Sequence, residues 1–499
     1  MRLTLARGLA TAAAIALMPA SAHALEFVNA LAVANGTDLS GYPDVGNNRL
    51  GGFGSDLVYD ATAGLYYGLT DRGPGGGVLS YAPRIQVFKL DTNAATGAIS
   101  NFQLQDTIVF HRADGTTFNG LNPRALNGDA GVLGNSFDSE GLVRLSNGHF
   151  LVSDEYGPSV YEFTATGEYV RAFETPANLL PRDAAGNLNF VDDRGTVKTG
   201  RQDNRGFEGL TLNADGTKAY AMLQDPLVNE GQDPSNGSTN AQGRFSRNLR
   251  IVEFDVATGQ PERQFIYQLE PLSTVNALGD PDFAANQQGR SIGISSIQHL
   301  GGTKYLVLER DNRGVGTETN PADTPLLKRA YVIDIANASD VAGISLNGTN
   351  ALPNGVSPVA KDQLPLIDLV AELRARGLPV PEKIEGMAFG EFLANGGRTL
   401  LFITDNDYSV TQNGGTVQFD ACFTPGFGSS SQVPIGAGCT DGTALLPNYI
   451  YSFKLGRDEY RALVGLPAVP EPAIWAVMIG GMGVVGGAAR RRRKTAAAA

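Results

Sequence analysis

Short apolar runs punctuated by Gly, Asn, Asp and Ser recur along most of this chain, and one stretch shows the pattern cleanly. Gly141-Leu142-Val143-Arg144-Leu145 reads as a strand, and Ser146-Asn147-Gly148 turns the chain. His149 to Ser153 is a second strand, ending at Asp154-Glu155-Tyr156-Gly157. Ser159 to Phe163 alternates as a third, Thr166-Gly167 turns again, and Tyr169 to Phe173 makes a fourth. Four short antiparallel strands in about 36 residues match one blade of a β-propeller.

The same grammar recurs. An acidic or small pair followed by an apolar strand stands at Ser55-Asp56-Leu57, Glu140-Gly141-Leu142, Glu208-Gly209-Leu210, Ser295-Ser296-Ile297 and Glu385-Gly386-Met387. Each is followed by an apolar second strand closing on an acid: Asp71, Asp154, Asp225, Glu309 and Asp405. Third strands follow at Arg84 to Leu90, Leu249 to Asp255, Arg329 to Ile335 and Tyr449 to Leu455. Five units are visible and six are possible; polar insertions at Pro176 to Thr199 and Asn229 to Arg247 separate some of them. Ile367 to Arg376 reads as a short helix. The fifth unit shows only three strands, and Phe27 to Val33 is placed to supply the fourth, closing the ring from the opposite terminus. The predicted fold is therefore all-β, a propeller of four-stranded antiparallel blades; two separate β-sandwiches are the alternative. With 62 Gly in 499 residues and only 18 % charged residues, the composition suits many strands and turns better than helical bundles.

Both ends carry addresses. Arg2 and Arg7, the apolar Leu9 to Met18, and the small-x-small Ala22-His23-Ala24 form a secretory leader over residues 1–24, with a buried N-terminal helix as the alternative. Residues 25–465 are the body. In 466–499, Val469-Pro470-Glu471-Pro472 precedes an apolar run, Ala473 to Ala489, and then Arg490-Arg491-Arg492-Arg493-Lys494. The run is at the short end of what crosses a bilayer, and the basic cluster would stay cytoplasmic. Motif, run and cluster together resemble the PEP-CTERM sorting signal. That resemblance implies a Gram-negative host with an extracellular polymer programme and an exosortase-type membrane protease as partner; a plain single-span anchor is the alternative. The protein is expected to be exported, to touch the membrane through this segment before processing, and to be a monomer.

Formal net charge is −12, and becomes −19 once the two Arg of the leader and the five basic residues of the tail are set aside. A body this acidic repels nucleic acid and attracts divalent cations. The two cysteines, Cys422 and Cys439, flank a Gly/Ser/Pro-rich loop in an exported chain, so a disulfide is expected, contributing about 3 kcal/mol by loop closure.

In a propeller the first strand of each blade lines the central channel, so equivalent carboxylates converge there. Asp56, Glu140, Glu208 and Glu385 are the candidate metal ligands, an oxygen set suited to Ca²⁺ or Mg²⁺; the alternative is that each bonds the backbone of a neighbouring blade. Asp71, Asp154, Glu155 and Asp405 are candidate catalytic carboxylates, and Arg72, Arg205 and Arg310 candidate anion-binding groups. Asp at a strand end also caps turns, and an adjacent Arg also forms an ion pair. After the leader only His111, His149 and His299 remain, widely scattered, which argues against a His-rich zinc site. No H-E-x-x-H is present, and no Walker or Rossmann glycine pattern follows a strand and opens a helix.

Asp138-Ser139-Glu140-Gly141-Leu142, Ser153-Asp154-Glu155, Asn204-Arg205-Gly206-Phe207-Glu208-Gly209-Leu210, Lys383-Ile384-Glu385-Gly386-Met387-Ala388-Phe389 and Asp71-Arg72-Gly73 together resemble the phytase-like family described as having esterase-like activity. The resemblance spans most of residues 25–456. It implies a propeller and, by kinship with β-propeller phytases, Ca²⁺-dependent hydrolysis of small anionic phosphoesters. The fourth unit departs from it, with Ser295-Ser296 where others have an acid and Gly. The expected function is an exported metal-dependent hydrolase of phosphoesters or related esters; a lactonase-like hydrolase and a non-catalytic propeller binding polysaccharide or protein are the alternatives.

Overall fold

The second strands of the repeated units carry apolar runs through their middles, buried on both faces, which leaves no face there for water. In Leu400-Leu401-Phe402-Ile403, Leu400 and Phe402 pack in one core while Leu401 and Ile403 pack in another. Ala219, Ala221 and Leu223 face one way, Tyr220 and Met222 the other. Successive side chains of a strand point to opposite faces, so a continuous apolar run demands a partner layer on each side.

That demand is met around a cycle. A computed structural model describes residues 25–467 apart from 192–194, 238–240, 318–323 and 441. The leader and the sorting tail, including the apolar run read as a membrane span, lie outside the described residues. Among the described residues no helix is long and apolar enough to cross a membrane. Five antiparallel sheets of four or five strands form the body. Sheet one runs Asp56–Asp60, Leu65–Leu69, Arg84–Thr92, Ile99–Val109; sheet two Ser139–Arg144, Phe150–Asp154, Ser159–Phe163, Tyr169–Ala172. Sheet three is Phe207–Leu212, Lys218–Leu223, Asn248–Asp255, Pro261–Gln268. Sheet four is Ile292–Gly301, Lys304–Asp311 and Lys328–Asp334, edged by the short Ala360–Lys361 and Ile367–Asp368.

Sheet five joins the two ends of the body: Ile384–Phe392, Arg398–Thr404 and Asn448–Leu455, then Glu26–Val33 as the outer strand. The expected terminal strand is thus in place. Only part of the expected helix over Ile367 to Arg376 is helical. Ile367–Asp368 pairs with Arg329 and Ala330, and the helix is Leu369–Arg374, capped by the Asp368 side chain accepting from the Ala371 N–H at 3.0 Å.

The first strands of the sheets touch in the order one, two, three, four, five and back to one. Five large cores lie between consecutive sheets. Five sheets each buried on both faces do not divide into two separate sandwiches. Smaller sheets sit in the connections, one of which carries Cys422 within Phe419–Phe423, and Cys422 and Cys439 are bonded to each other.

Where the first strands meet, glycine is a steric requirement. A Cβ on Gly141 would lie 2.6 Å from the Glu208 carbonyl oxygen of the next sheet and 2.5 Å from Ser153 Oγ. A Cβ on Gly386 would lie 2.9 Å from the Asp56 backbone. Gly141→Ala is expected to destabilise the protein by about 1–3 kcal/mol through this overpacking, read as a lowered midpoint in urea unfolding with unchanged slope.

Candidate functional site

The converging glutamates are aimed by bulges. The ladder register slips between Ser139 and Leu142, between Phe207 and Leu210, between Ile294 and Ser296, and between Ile384 and Gly386. Glu140, Glu208, Ser295 and Glu385 fall in these bulges, where a residue left out of the pairing is re-aimed. Sheet one has no bulge there: Asp56 pairs with Leu69. Matched on the strand that follows, Ser55 holds the glutamate's place and Asp56 the glycine's. Asp56 accordingly lies outside the converging set. Its carboxylate accepts from the Leu57 and Leu142 N–H groups, both at 2.9 Å, and from Ser296 Oγ at 3.2 Å. Burial pushes this carboxyl up to about 8, against those bonds.

The acids closing the second strands share a structural duty. Asp71, Asp154, Asp311 and Asp405 each accept, through Oδ1, from the N–H two residues on, at 2.7, 3.0, 3.1 and 2.8 Å. This is the Asx turn. In sheet four the strand runs on past Glu309 to Asp311, which takes this place. Glu309 is instead gripped by Tyr267 and Lys361. Asp154 is consumed by the backbone: it also accepts from Asp138 N at 3.0 Å and Gly157 N at 2.8 Å and is fully buried. The expectation of a catalytic Asp154 gives way to a structural role, because no lone pair of its carboxylate is left facing the site.

Asp138, Glu140 and Glu155 form the first cluster, each presenting an oxygen within 4.8 Å of the others. Asp138 is fully buried, Glu155 is 2 % and Glu140 8 % exposed. Arg72 binds Asp138 twice, through its N–H at 3.0 Å and Nη1 at 3.1 Å, and reaches Asn204 Oδ1 as well. Arg205 spans Asp225 at 2.9 Å and Glu155 at 3.5 Å. Glu208 adjoins the cluster, with Gln224 donating to its Oε1.

Burial raises the Glu140 and Glu155 carboxyls well above the ordinary range, and the neighbouring Glu208 and Asp138 charges add to it. Burial raises Glu208 to about 8 in spite of Arg310 and Arg205. Buried oxygens stand without hydrogen-bond partners among the described residues: Glu155 Oε1, Glu208 Oε2, Gln224 Oε1 and Asp225 Oδ1. Such atoms cost free energy unless something meets them. An all-oxygen carboxylate set with unmet lone pairs fits a hard divalent ion.

The second cluster, Asp71, Asp405 and Asp407, already holds an internal cation. Lys383 Nζ lies 2.6 Å from Asp407, 2.9 Å from Asp405 and 3.8 Å from Asp71. Those carboxylates hold its ammonium pKa well above the usual value against the opposing pull of burial. Asp407, Tyr408 and Ser409 have φ of 46, 57 and 55°, a left-handed turn of non-glycine residues, each costing roughly 1–2 kcal/mol. Neighbours hold it: Asn406 Oδ1 accepts from Tyr408 N at 3.1 Å, Arg49 donates to Tyr408 O at 3.0 Å, and Ser409 Oγ donates to Ala421 O at 2.7 Å. The strained turn delivers Asp407 to Lys383. In sheet four Arg310 bonds Glu385 and, at 2.7 Å, Ser295 Oγ, and lies 4.0 Å from Glu208.

Asp138, Asn204, Lys383 and Asp407 are site residues that strand grammar alone passed over. The signal was spacing: Asp138 stands two before Glu140, Lys383 two before Glu385 and Asp407 two after Asp405. Alternation along a strand repeats its direction every second residue.

Residues 48–408 match the model of the Phytase-like family, described as "Esterase-like activity of phytase". The chain belongs to that family. The matched span contains both clusters and all four cationic groups of the mouth. Residues 468–494 match the PEP-CTERM protein-sorting motif, so this family member is an exported protein with a C-terminal sorting tail. An uncharacterized secreted protein of Arthroderma benhamiae is 29 % identical, over 77 % of this chain and 87 % of that protein. Among solved structures, a luciferin-regenerating enzyme aligns over 82 % of this chain and 94 % of its own at 11 % identity, with a TM-score of 0.28. A streptogramin B lyase aligns over 85 % and 98 % at 9 % identity, with a TM-score of 0.27. Likeness at that level carries no argument about this family member.

The raised carboxyls set a pH dependence. Asp56 and Glu208 are ordinary near pH 4 when unfolded and titrate at about 8 when folded. The folded chain then binds more protons between those values, so its stability is full below about pH 4 and is lost as pH rises through about 8. In chelator, the melting temperature is expected to fall by about 2–5 °C between pH 5 and pH 8.5. Calcium should reverse the share owed to the Glu140–Glu208 region and leave that of Asp56, as differential scanning fluorimetry would show.

Proposed function

We propose that this exported protein is a five-bladed β-propeller that hydrolyses ester bonds with the help of a divalent ion held at one mouth of its central channel. The cyclic contact of the first strands and the core between every pair of consecutive sheets support the propeller. One observation carries the chemistry: three buried carboxylates of Asp138, Glu140 and Glu155 within ligand distance of one another, with Glu208 Oε2 beside them unmet. Membership of a family described by esterase-like activity supports the ester class.

Asp138, Glu140 and Glu155 would hold the ion. Calcium suits them best, because its coordination is irregular and carboxylate-rich. Once bound, such an ion supplies Lewis acidity and lowers the pKa of water. The chain does the rest. Arg72 and Arg205 fix Asp138 and Glu155 from outside, which orients the donor oxygens. Glu208, held protonatable near neutrality, is the group placed to take a proton at Oε2. Arg310 holds Glu385 and approaches Glu208, and its charge opposes the rise that burial imposes on both carboxyls. Asp71 and Asp405 act through Lys383 as a rigid wall. The sorting motif supports an exosortase-type membrane protease as the processing partner, and the body's negative charge disfavours nucleic acid.

Glu140→Gln is the cleanest test, since no hydrogen bond to this side chain exists among the described residues. Calcium affinity by calorimetry should fall by roughly 100-fold, and hydrolysis of generic carboxyl and phosphate esters should fall with it, at unchanged circular dichroism. If the parent binds no calcium and turns over neither ester, the enzyme reading is lost and a binding propeller takes its place.

A further inference from the structure

Four cations of the mouth already have a carboxylate. Arg72 is on Asp138, Arg205 on Asp225 and Glu155, Arg310 on Glu385, and Lys383 on Asp405 and Asp407. Counting Asp71, Glu140 and Glu208 as well, the carboxylates, when ionised, outnumber these cations by more than one divalent ion cancels. The unmet buried atoms have the same sense. Glu208 Oε2, Gln224 Oε1 and Asp225 Oδ1 are all acceptors, Glu155 Oε1 has only the ion pair to Arg205 at 3.5 Å, and Arg72 Nε is the orphaned donor beside them. Gln224 and Asp225 also line a narrow cavity together with Arg205, Arg290, Arg310 and Asn312.

From this we propose that the group received beside the ion is the uncharged, hydroxyl-bearing part of a carboxyl ester or lactone, and not a phosphate dianion. The proposal rests on the ion-assisted ester hydrolysis argued above and names its substrate class. A phosphomonoester dianion brings only acceptors and negative charge. To be gripped by Arg72, Arg205 or Arg310 it must draw that guanidinium off its carboxylate, leaving the carboxylate buried and unpaired, the costly half of a broken pair. A hydroxyl brings the donor that Glu208, Gln224 and Asp225 lack, and its oxygen accepts from a guanidinium N–H without disturbing the ion pairs. The narrowness of the cavity suits one such group at a time. Hydrolysis of the ester then adds water across the acyl C–O bond: hydroxyl to the acyl carbon, proton to the released alcohol or ring oxygen. No other reactant is needed.

The test uses the full-length, calcium-loaded protein. Calorimetry with myo-inositol as an uncharged polyol, and separately with inorganic phosphate, should show the polyol binding at least about tenfold more tightly, the worth of a buried hydrogen bond. Gln224→Leu, with Asn312→Ala as a milder second variant, should weaken the polyol by about fivefold to tenfold. Turnover of glucono-δ-lactone should exceed that of p-nitrophenyl phosphate. Phosphate binding as tight as the polyol, no polyol binding, or polyol affinity unmoved by both variants overturns the substrate class. So does calcium-dependent turnover favouring the phosphate ester, while leaving ion-assisted hydrolysis standing. Absence of calcium binding in the parent strikes that underlying reading instead, and the two calorimetric titrations still decide which ligand class the mouth accepts.

Discussion

The inner strands of the five large sheets have no face to give to water, and the rest of the architecture follows from that constraint. Alternating side chains of one strand feed two different cores, as Tyr66 and Tyr67 do on either side of sheet one. A sheet in that position needs two neighbours, and so does each neighbour. The cycle closes when the N-terminal strand Glu26–Val33 completes the sheet formed by the far end of the body. Burial of this kind stabilises by roughly 25 cal/mol per Å² of apolar surface.

Closing the cycle crowds the first strands, and the site is a by-product of the crowding. Gly141 and Gly386 let neighbouring backbones approach, and the adjacent bulges turn Glu140 and Glu385 out of the ladders. Several sheets thereby deliver acids into one confined space. The structure meets that repulsion in two ways. Around Asp71, Asp405 and Asp407 it supplies an internal ammonium, Lys383. Around Asp138, Glu140 and Glu155 it supplies guanidiniums at the periphery and leaves the inner oxygens unmet. Two clusters of similar composition therefore have different chemical capacities, decided by where one lysine points.

Legibility in the sequence varied residue by residue. Glu140, Glu208 and Glu385 were readable because a Gly follows each and an apolar strand follows that. Asp56 was misplaced by one position, since Ser55-Asp56 looks like the same signature but lacks the bulge. Asp154 shares its strand-end position with Asp71 and Asp405, yet three backbone N–H groups consume it. Local pattern does not distinguish a carboxylate turned inward from one folded back on its own turn. Lys383 and Asp407 carried a signal, the two-residue spacing, but their meeting requires a left-handed turn at Asp407–Ser409 that no propensity would choose.

The sequence by itself determined the compartment, the all-β class, the unit repeat and the closing strand, because these depend on order and spacing along the chain. Leader, tail motif and alternating apolar runs are local properties. Tertiary structure alone decided which acids share a space and which of them keep free lone pairs. Convergence, burial and counter-charge arise between sheets far apart in sequence. Arg72 meets Asn204, and Arg310 meets Glu385, only after five sheets have closed on one another.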